Sequence, residues 1–206
     1  VIQGDRIELR PLSTDILPLV EGWYNDFETT RTLGVDWHPI TTRRKLRHLE
    51  ALLESPDPHF VILDRASGSI IGLCGLDDVD SDSRTAEFSI MIGDKRFRGS
   101  GYGTEVTRLL LAYAFDVLGL HNVWLQVSSN NPEAIRAYEK AGFRRIGIRR
   151  ESVRIGRLLI DDVYMDAIAP DFPPSSLHAL MHPDPATSTG PDSQHPPFVT
   201  PTGTKR

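Results

Sequence analysis

The sequence predicts an α+β domain built around an antiparallel meander. Three observations carry that reading. Between residues 60 and 92, three β-prone runs follow one another with short polar turns between them. After residue 100, two segments of helical period, each closed by a glycine, alternate with strand-like runs. From Pro170 on, nine of the fifteen prolines crowd among Ser, Thr and Asp. Residues 1–168 are therefore read as the folded domain and 169–206 as a Pro/Ser/Thr-rich tail without its own core.

The elements follow in order. Residues 6–10 alternate polar and apolar, as a half-buried strand does, and Pro11 closes the run. Ser13 or Thr14 caps a helix whose apolar side holds Ile16, Leu19, Val20 and Trp23, and Asn25-Asp26 breaks it. Thr41 or Thr42 caps a second helix with Leu46, Leu49, Leu52 and Leu53 on one face, stopped by Ser55-Pro56-Asp57-Pro58. Residues 60–63, 69–76 and 86–92 are strands, with a turn at Ser67-Gly68 and a polar connection over 77–83. Residues 101–118 are helical: Val106, Leu109, Leu110, Tyr113, Ala114 and Val117 share a face, and Gly119 suits the left-handed position after the last turn. A strand over 122–127, a helix from Pro132 to Ala141 closed by Gly142, and strands over 143–154 and 158–167 joined at Ile155-Gly156-Arg157 complete the domain.

Composition narrows the function. With 39% hydrophobic and 25% charged residues, the 206-residue chain is an ordinary globular protein. A net charge of -5 argues against nucleic acid as a partner, because a phosphate-tracking surface needs a basic excess. No apolar stretch approaches the length of a membrane span, and no secretory signal pattern opens the chain, so a cytoplasmic location is expected. The single cysteine, Cys74, lies in an apolar run and reads as a buried small hydrophobe rather than a nucleophile. His178 and His182 are four apart but lack further ligands nearby, so no metal is expected.

The segment Phe97-Arg98-Gly99-Ser100-Gly101-Tyr102-Gly103-Thr104 joins a strand to a long helix. Its glycines let backbone N–H groups approach a ligand closely, and the helix N-terminus favours an anion. Lys95, Arg96 and Arg98 add positive charge on the same approach. A P-loop would need a lysine after Gly103, where Thr104 stands. The dinucleotide fingerprint would need a third glycine at that position and a parallel βαβ unit, whereas a meander precedes this loop.

Arg98-x-x-Gly101-x-Gly103 resembles the Arg/Gln-x-x-Gly-x-Gly/Ala loop of the GNAT N-acetyltransferases. The segment from Asn131 through Ala134 and Tyr138 to Gly142-Phe143 is similar to their Asn-x-x-Ala-x-x-x-Tyr-x-x-x-Gly-Phe stretch. Ile7-Glu8-Leu9-Arg10-Pro11-Leu12 and Ala86-Glu87-Phe88-Ser89-Ile90 resemble the RimJ/RimL-type branch, which includes polyamine acetyltransferases. The resemblance covers residues 5–168 and leaves the tail without a counterpart. It implies the GNAT fold: α/β/α layers around a mixed, mostly antiparallel sheet splayed between its fourth and fifth strands. It also implies acetyl-CoA as co-substrate, with no metal. The pantetheine arm would then lie in the splay, paired with the backbone of Met91 and Ile92 and bonded by Asn131. The amides of Arg98, Gly99, Ser100, Gly101, Tyr102, Gly103 and Thr104 would hold the pyrophosphate.

Acetyl transfer to an amine needs a neutral amine and a proton for the departing thiolate. A lysine-like amine, with a pKa of about 10.4, needs a general base more than an α-amine of about 7.7 to 8.0 does. Glu87 is the base candidate; by alternation it shares a strand face with Ser89 and Met91. It also reads as a salt-bridged surface glutamate. Tyr138 is the acid candidate implied by the resemblance, and it also reads as a packing aromatic. Some members of the RimL kind carry a serine where Ala134 stands here, a departure that favours the tyrosine. Asp77, Asp78, Asp80 and Asp82 would attract a cationic acceptor, and Trp23, Tyr24 and Trp37 would wall its pocket. The expected activity is acetyl transfer to a primary amine of a small molecule such as a polyamine, amino sugar, amino acid or aminoglycoside. The alternatives are a protein N-terminus as acceptor and a non-catalytic acyl-CoA-binding module. The chain is expected to act as a monomer or homodimer.

Overall fold

The computed structural model describes residues 1–33 and 39–181. Its sheet has eight strands: β1 (Ile2–Gln3), β2 (Ile7–Pro11), β3 (His59–Asp64), β4 (Ile70–Asp80), β5 (Thr85–Ile92), β6 (Asn122–Ser128), β7 (Arg144–Ile155) and β8 (Leu158–Ile168). They lie in the order β1-β2-β3-β4-β5-β6-β8-β7. Every neighbouring pair is antiparallel except β5 and β6, which are parallel. That single parallel pair requires a crossover. It is made by α4 (Tyr102–Ala112) and a π-helical turn over Tyr113–Val117.

Alternation along the strands gives the sheet two different faces. On one, Ile62, Leu76, Ala86, Phe88, Val123 and Leu125 pack under Val106, Leu110 and Leu111 of α4 and Ile135 of α5 (Pro132–Ala141). On the other, Val61 and Leu63 meet Ile16, Val20 of α1 (Leu17–Tyr24) and Leu49 of α3 (Thr42–Glu54). A short helix, α2 (Phe27–Thr30), follows α1. The layers are helix, sheet, helix, as the α+β reading and the implied GNAT fold require. Thr41 caps α3 by accepting from the Arg44 amide, and Gly142 closes α5 at φ 117°. Among the described residues no helix is long and apolar enough to cross a membrane.

Three features differ from expectation. β4 runs on to Asp80, taking in part of the acidic stretch expected as a connection, with its register shifting between Asp77 and Asp80. The helix expected over 101–118 widens after Ala112: the Leu118 amide reaches the Tyr113 carbonyl, one residue beyond α spacing. The expected tail does not start at 169. Phe172 lies 5.1 Å from the Phe115 ring, the Ser175 amide and hydroxyl bond Asp116, and Leu177 of α6 (Ser176–Met181) packs on the core. Composition could not show this, because three side chains suffice to pin the segment. Residues 182–206, with His182, lie outside the described residues, as does Trp37.

Leu110 is fully buried where α4 meets the sheet. Leu110→Ala is expected to cost about 2–5 kcal/mol, read as a lowered urea midpoint with an unchanged m-value.

Candidate active site

The parallel pair that defines the topology is short. Thr85, Ala86 and Glu87 pair with Asn122, Val123 and Trp124, and there the two strands part. Beyond that point Phe88 to Ile92 have no partner on the β6 side, while β4 holds their other edge through Ile92. Unpaired backbone amides and carbonyls lining a gap inside a sheet are costly unless a ligand bonds them. The orphan at its far side is consistent: Ser128 Oγ, on the last residue of β6, is buried without a hydrogen bond.

A strap crosses this region. Arg98 donates from Nε to the Ile92 carbonyl (2.8 Å) and from Nη2 to the Gly93 carbonyl and to Thr29 Oγ1 (both 2.9 Å). On the β6 side, Asn130 and Asn131 donate to the carbonyls of Arg31 and Thr32. The α2 segment thus bridges the ends of the parted strands. Trp23 lies so close to Gly93 that a Cβ there would come within 2.0 Å of its ring.

The glycine loop ends at the mouth of the gap. Gly99 and Gly101 sit at φ 69° and 87°, and Gly101 occupies the N-cap of α4 without a capping side chain. The first amides of α4 therefore have neither an intrahelical acceptor nor a side-chain one. Gly103 has nothing within 4 Å of where its Cβ would be, so the approach is open. The loop is fixed from behind: Arg6 Nη1 donates to the Ser100 carbonyl (3.0 Å), the Tyr102 hydroxyl to Asp64 (2.9 Å), and the Thr104 hydroxyl to the Ala137 carbonyl (3.4 Å). The expected cationic support is otherwise engaged. Lys95 pairs with Asp26 and Glu28, Arg96 with Asp94, and Arg98 is spent on carbonyls. An anion at this loop would be met by backbone dipoles rather than by an unengaged side-chain cation of this group.

Glu87 and Tyr138 flank the gap from opposite faces of the sheet. Glu87 lies on the α1/α3 face, directly across from Asp77 on β4 and from Trp124 on β6. Burial first, and then Asp77 and Asp78, push its carboxyl above the ordinary value. Tyr138, half-buried on α5, sets its ring edge-on to Phe88 (5.8 Å) and 6.0 Å from Phe143, and burial raises its phenol well above the ordinary range. Asn131 caps α5, accepting from the Ala134 amide at 3.1 Å. Met91 is buried, its carbonyl turned toward Gly72, where a Cβ would approach to 2.1 Å. Cys74 is buried, and its thiol is raised by burial, as expected of a small hydrophobe.

Several neighbours of Glu87 were not singled out as functional from the sequence. His59 lies across Gly75, where a Cβ would meet its ring at 2.5 Å, and so reaches Asp77 (Nε2 to Oδ1, 2.8 Å). Its Nδ1 contacts the Asp57 carbonyl at 3.0 Å. Both partners are acceptors, and the hydrogen bond to Asp77 raises His59 above its ordinary value, favouring the doubly protonated ring. Asp77 also accepts from Ser89 Oγ at 2.6 Å. Trp124 stacks on Tyr164 beside this row. Strand parity could have found His59, two residues before the buried Val61. Part of the acidic stretch is tied down locally: Asp57 holds the amides of Asp78 and Val79, and Asp80 holds those of Asp82 and Ser83, while Asp78 and Asp82 are exposed. Among the described residues no group of three or more His, Cys, Asp or Glu could hold a metal ion. A cavity of about 790 Å³ lies elsewhere, between the end of the α4 crossover and Phe172–Ser175, and it touches none of these groups.

Comparison with known proteins matches residues 6–144 to the acetyltransferase (GNAT) domain. The chain is 30% identical to the probable N-acetyltransferase YjcK of Bacillus subtilis, over 83% of this chain and 98% of that protein. It is 29% identical to the N-alpha-acetyltransferase RimI of Mycobacterium tuberculosis, over 63% and 76%. In structure it is similar to spermidine N-acetyltransferase from Vibrio cholerae in complex with CoA and spermine, with TM-score 0.73 and 25% identity, covering 82% of this chain and 98% of that one.

The His59–Asp77 pair gives a pH signature. Asp77 raises His59 from 6.5, so that stabilisation is complete below 6.5 and lost as pH rises through the higher folded value. His59 lowers Asp77 from 3.8, so that stabilisation is complete above 3.8 and lost as pH falls through the lower folded value. His59→Gln is expected to destabilise most between pH 3.8 and 6.5, measured by urea denaturation across pH. A pH-independent loss would mean that His59 acts by packing alone.

Proposed function

Because this chain belongs to the GNAT acetyltransferase family, we propose that it transfers the acetyl group of acetyl-CoA to the primary amine of a small molecule. The observation that carries the reading is the unpaired edge of β5 beyond Glu87, with uncommitted α4 amides at one end and Glu87 and Tyr138 on its two faces. The amides of residues 98–104 are assigned to the pyrophosphate, and the β5 edge at Met91 and Ile92, together with Asn131, to the pantetheine arm. Ser128 Oγ, buried and without a partner, fits a polar group of that arm.

Acetyl-CoA, when bound, supplies an activated thioester. Glu87 takes one proton from the acceptor ammonium, directly or through water, leaving a lone pair to attack the carbonyl. Burial and the neighbouring aspartates bring Glu87 closer to neutrality, which makes it a better base than an exposed glutamate. Tyr138 stays protonated, so its hydroxyl donates to the departing sulfur while accepting the second amine proton. The products balance as an amide, a thiol and a protonated Glu87, which returns its proton to solvent. Entry of the two substrates from opposite faces of the sheet allows direct transfer without an acyl-enzyme. A protein N-terminus is the second reading, favoured by the similarity to RimI.

Thiol release from acetyl-CoA across polyamines, aminoglycosides, amino sugars, amino acids and short peptides tests the reading. At least one small amine is expected to turn over with stoichiometric thiol; binding of CoA without turnover of any amine would contradict it. Tyr138→Phe and Glu87→Gln are each expected to lower kcat by roughly 10²-fold. The kcat/KM of the unmodified enzyme should fall as pH drops through a value above the ordinary glutamate 4.5. That acid limb should vanish in Glu87→Gln.

A further inference from the structure

One glycine organises the face of the sheet beside Glu87. His59, Gly75 and Ser89 stand directly across from one another on β3, β4 and β5, and in the next row Asp77 stands across from Glu87. Gly75 has no side chain, so the Asp77 carboxylate leans out of its own row into the space between His59 and Ser89. It is held there from both sides: Oδ1 lies 2.8 Å from His59 Nε2, and Oδ2 accepts from Ser89 Oγ at 2.6 Å. His59 is fixed in turn, its side chain 9% exposed and its Nδ1 3.0 Å from the Asp57 carbonyl. A Cβ at Gly75 would come within 2.5 Å of the His59 ring, so any other residue there would displace it.

This clamp decides what Ser89 can offer. The hydrogen bond from His59 foremost lowers the Asp77 carboxyl, which keeps it ionised at neutral pH. An ionised carboxylate only accepts, so the single hydroxyl proton of Ser89 is committed to it. The serine oxygen then has lone pairs alone for a further partner. Ser89 is exposed, and it lies on β5 just past the last residue paired with β6, where the two strands part. It stands one strand repeat of about 7 Å from Glu87, on the same face. An acceptor-only hydroxyl and the candidate base thus sit side by side at the edge of the opening.

We propose that Ser89 is an acceptor-binding residue, taking a hydrogen bond from the reacting ammonium beside Glu87, and that Asp77 and His59 are positioning residues that keep its oxygen turned outward. The reading rests on the acetyl transfer proposed above. It differs from a general attraction of cations by the acidic stretch, because Asp78 and Asp82, exposed and outside this clamp, take no part in it. Ser89 addresses the group that reacts and not the rest of the molecule, so it serves every primary amine alike.

The probes are putrescine, kanamycin, glucosamine, lysine, phenethylamine and glycylglycine, read by thiol release from acetyl-CoA. Ser89→Ala is expected to raise KM by about 10-fold for each amine that turns over, the scale of one hydrogen bond to a charged group. Its kcat and its KM for acetyl-CoA should stay within about twofold. Ser89→Thr, which keeps the hydroxyl, and Asp82→Asn should both stay close to the unmodified enzyme. His59→Ala should raise the acceptor KM when Ser89 is present and not in the Ser89→Ala background, a coupling that a purely structural role would not produce. An unchanged acceptor KM in Ser89→Ala overturns the inference and leaves acetyl transfer standing. A rise confined to the polycations putrescine and kanamycin does the same, as do equal losses in Ser89→Ala and Ser89→Thr. Additive effects of His59→Ala and Ser89→Ala overturn the positioning role. Absence of thiol release from every amine removes both readings together.

Discussion

The site depends on where β5 and β6 stop pairing. Three residues of each strand form a parallel ladder, and then the strands diverge, leaving main-chain groups of β5 facing an opening inside an otherwise continuous sheet. An opening of this kind collapses unless its walls are held apart. Here the walls are held by the α4 crossover on one face and by the α2 strap on the other, tied through Arg98 to β5 and through Asn130 and Asn131 to β6. The arginine of the glycine-loop motif thus works mainly through carbonyls, fixing the strand end and the loop relative to each other. Its burial among those acceptors explains why a lysine would not serve equally: one ammonium cannot span three acceptors with a planar fork.

The charge pattern around the opening is economical. Lys95, Arg96 and Arg98 are all engaged near the glycine loop, so the proposed pyrophosphate site would rest on peptide dipoles, which are fixed in advance of a ligand. Beside Glu87, His59 pairs with Asp77, and Asp80 holds the amides of Asp82 and Ser83 while Asp78 and Asp82 stay exposed.

Much of this was legible in the sequence, for definite reasons. Glycine spacing, helix caps at Thr41 and Asn131, and the closing Gly142 are local signals, and each appears where local chemistry placed it. Strand parity put Glu87 and Ser89 on one face and Phe88 on the other, as the structure has them. What sequence could not show depends on contacts between distant segments. The ring of His59 reaches Asp77 only because Gly75 leaves room, three strand positions that converge in space. The burial of Lys45 under Tyr24 likewise joins two separate helices and has no local signal in the period of α3. The partners of the acidic run, His59 and Ser89 for Asp77 and the turn amides for Asp80, are also invisible in composition. The tail boundary was set too early for a similar reason, since Phe172 and Ser175 anchor a proline-rich segment that has no periodicity of its own.

The central claim is that the parted edge of β5 and the first amides of α4 form the coenzyme A cradle. The most direct measurement is a titration of the ¹⁵N-labelled protein with CoA, followed by amide chemical shifts. Saturable shifts are expected at Gly101, Tyr102, Gly103 and Thr104 and along Ile90 to Ile92, with Gly119 and Phe172, which line the cavity at the end of the α4 crossover, unchanged. Shifts confined to that cavity, with the α4 amides and β5 silent, would contradict it.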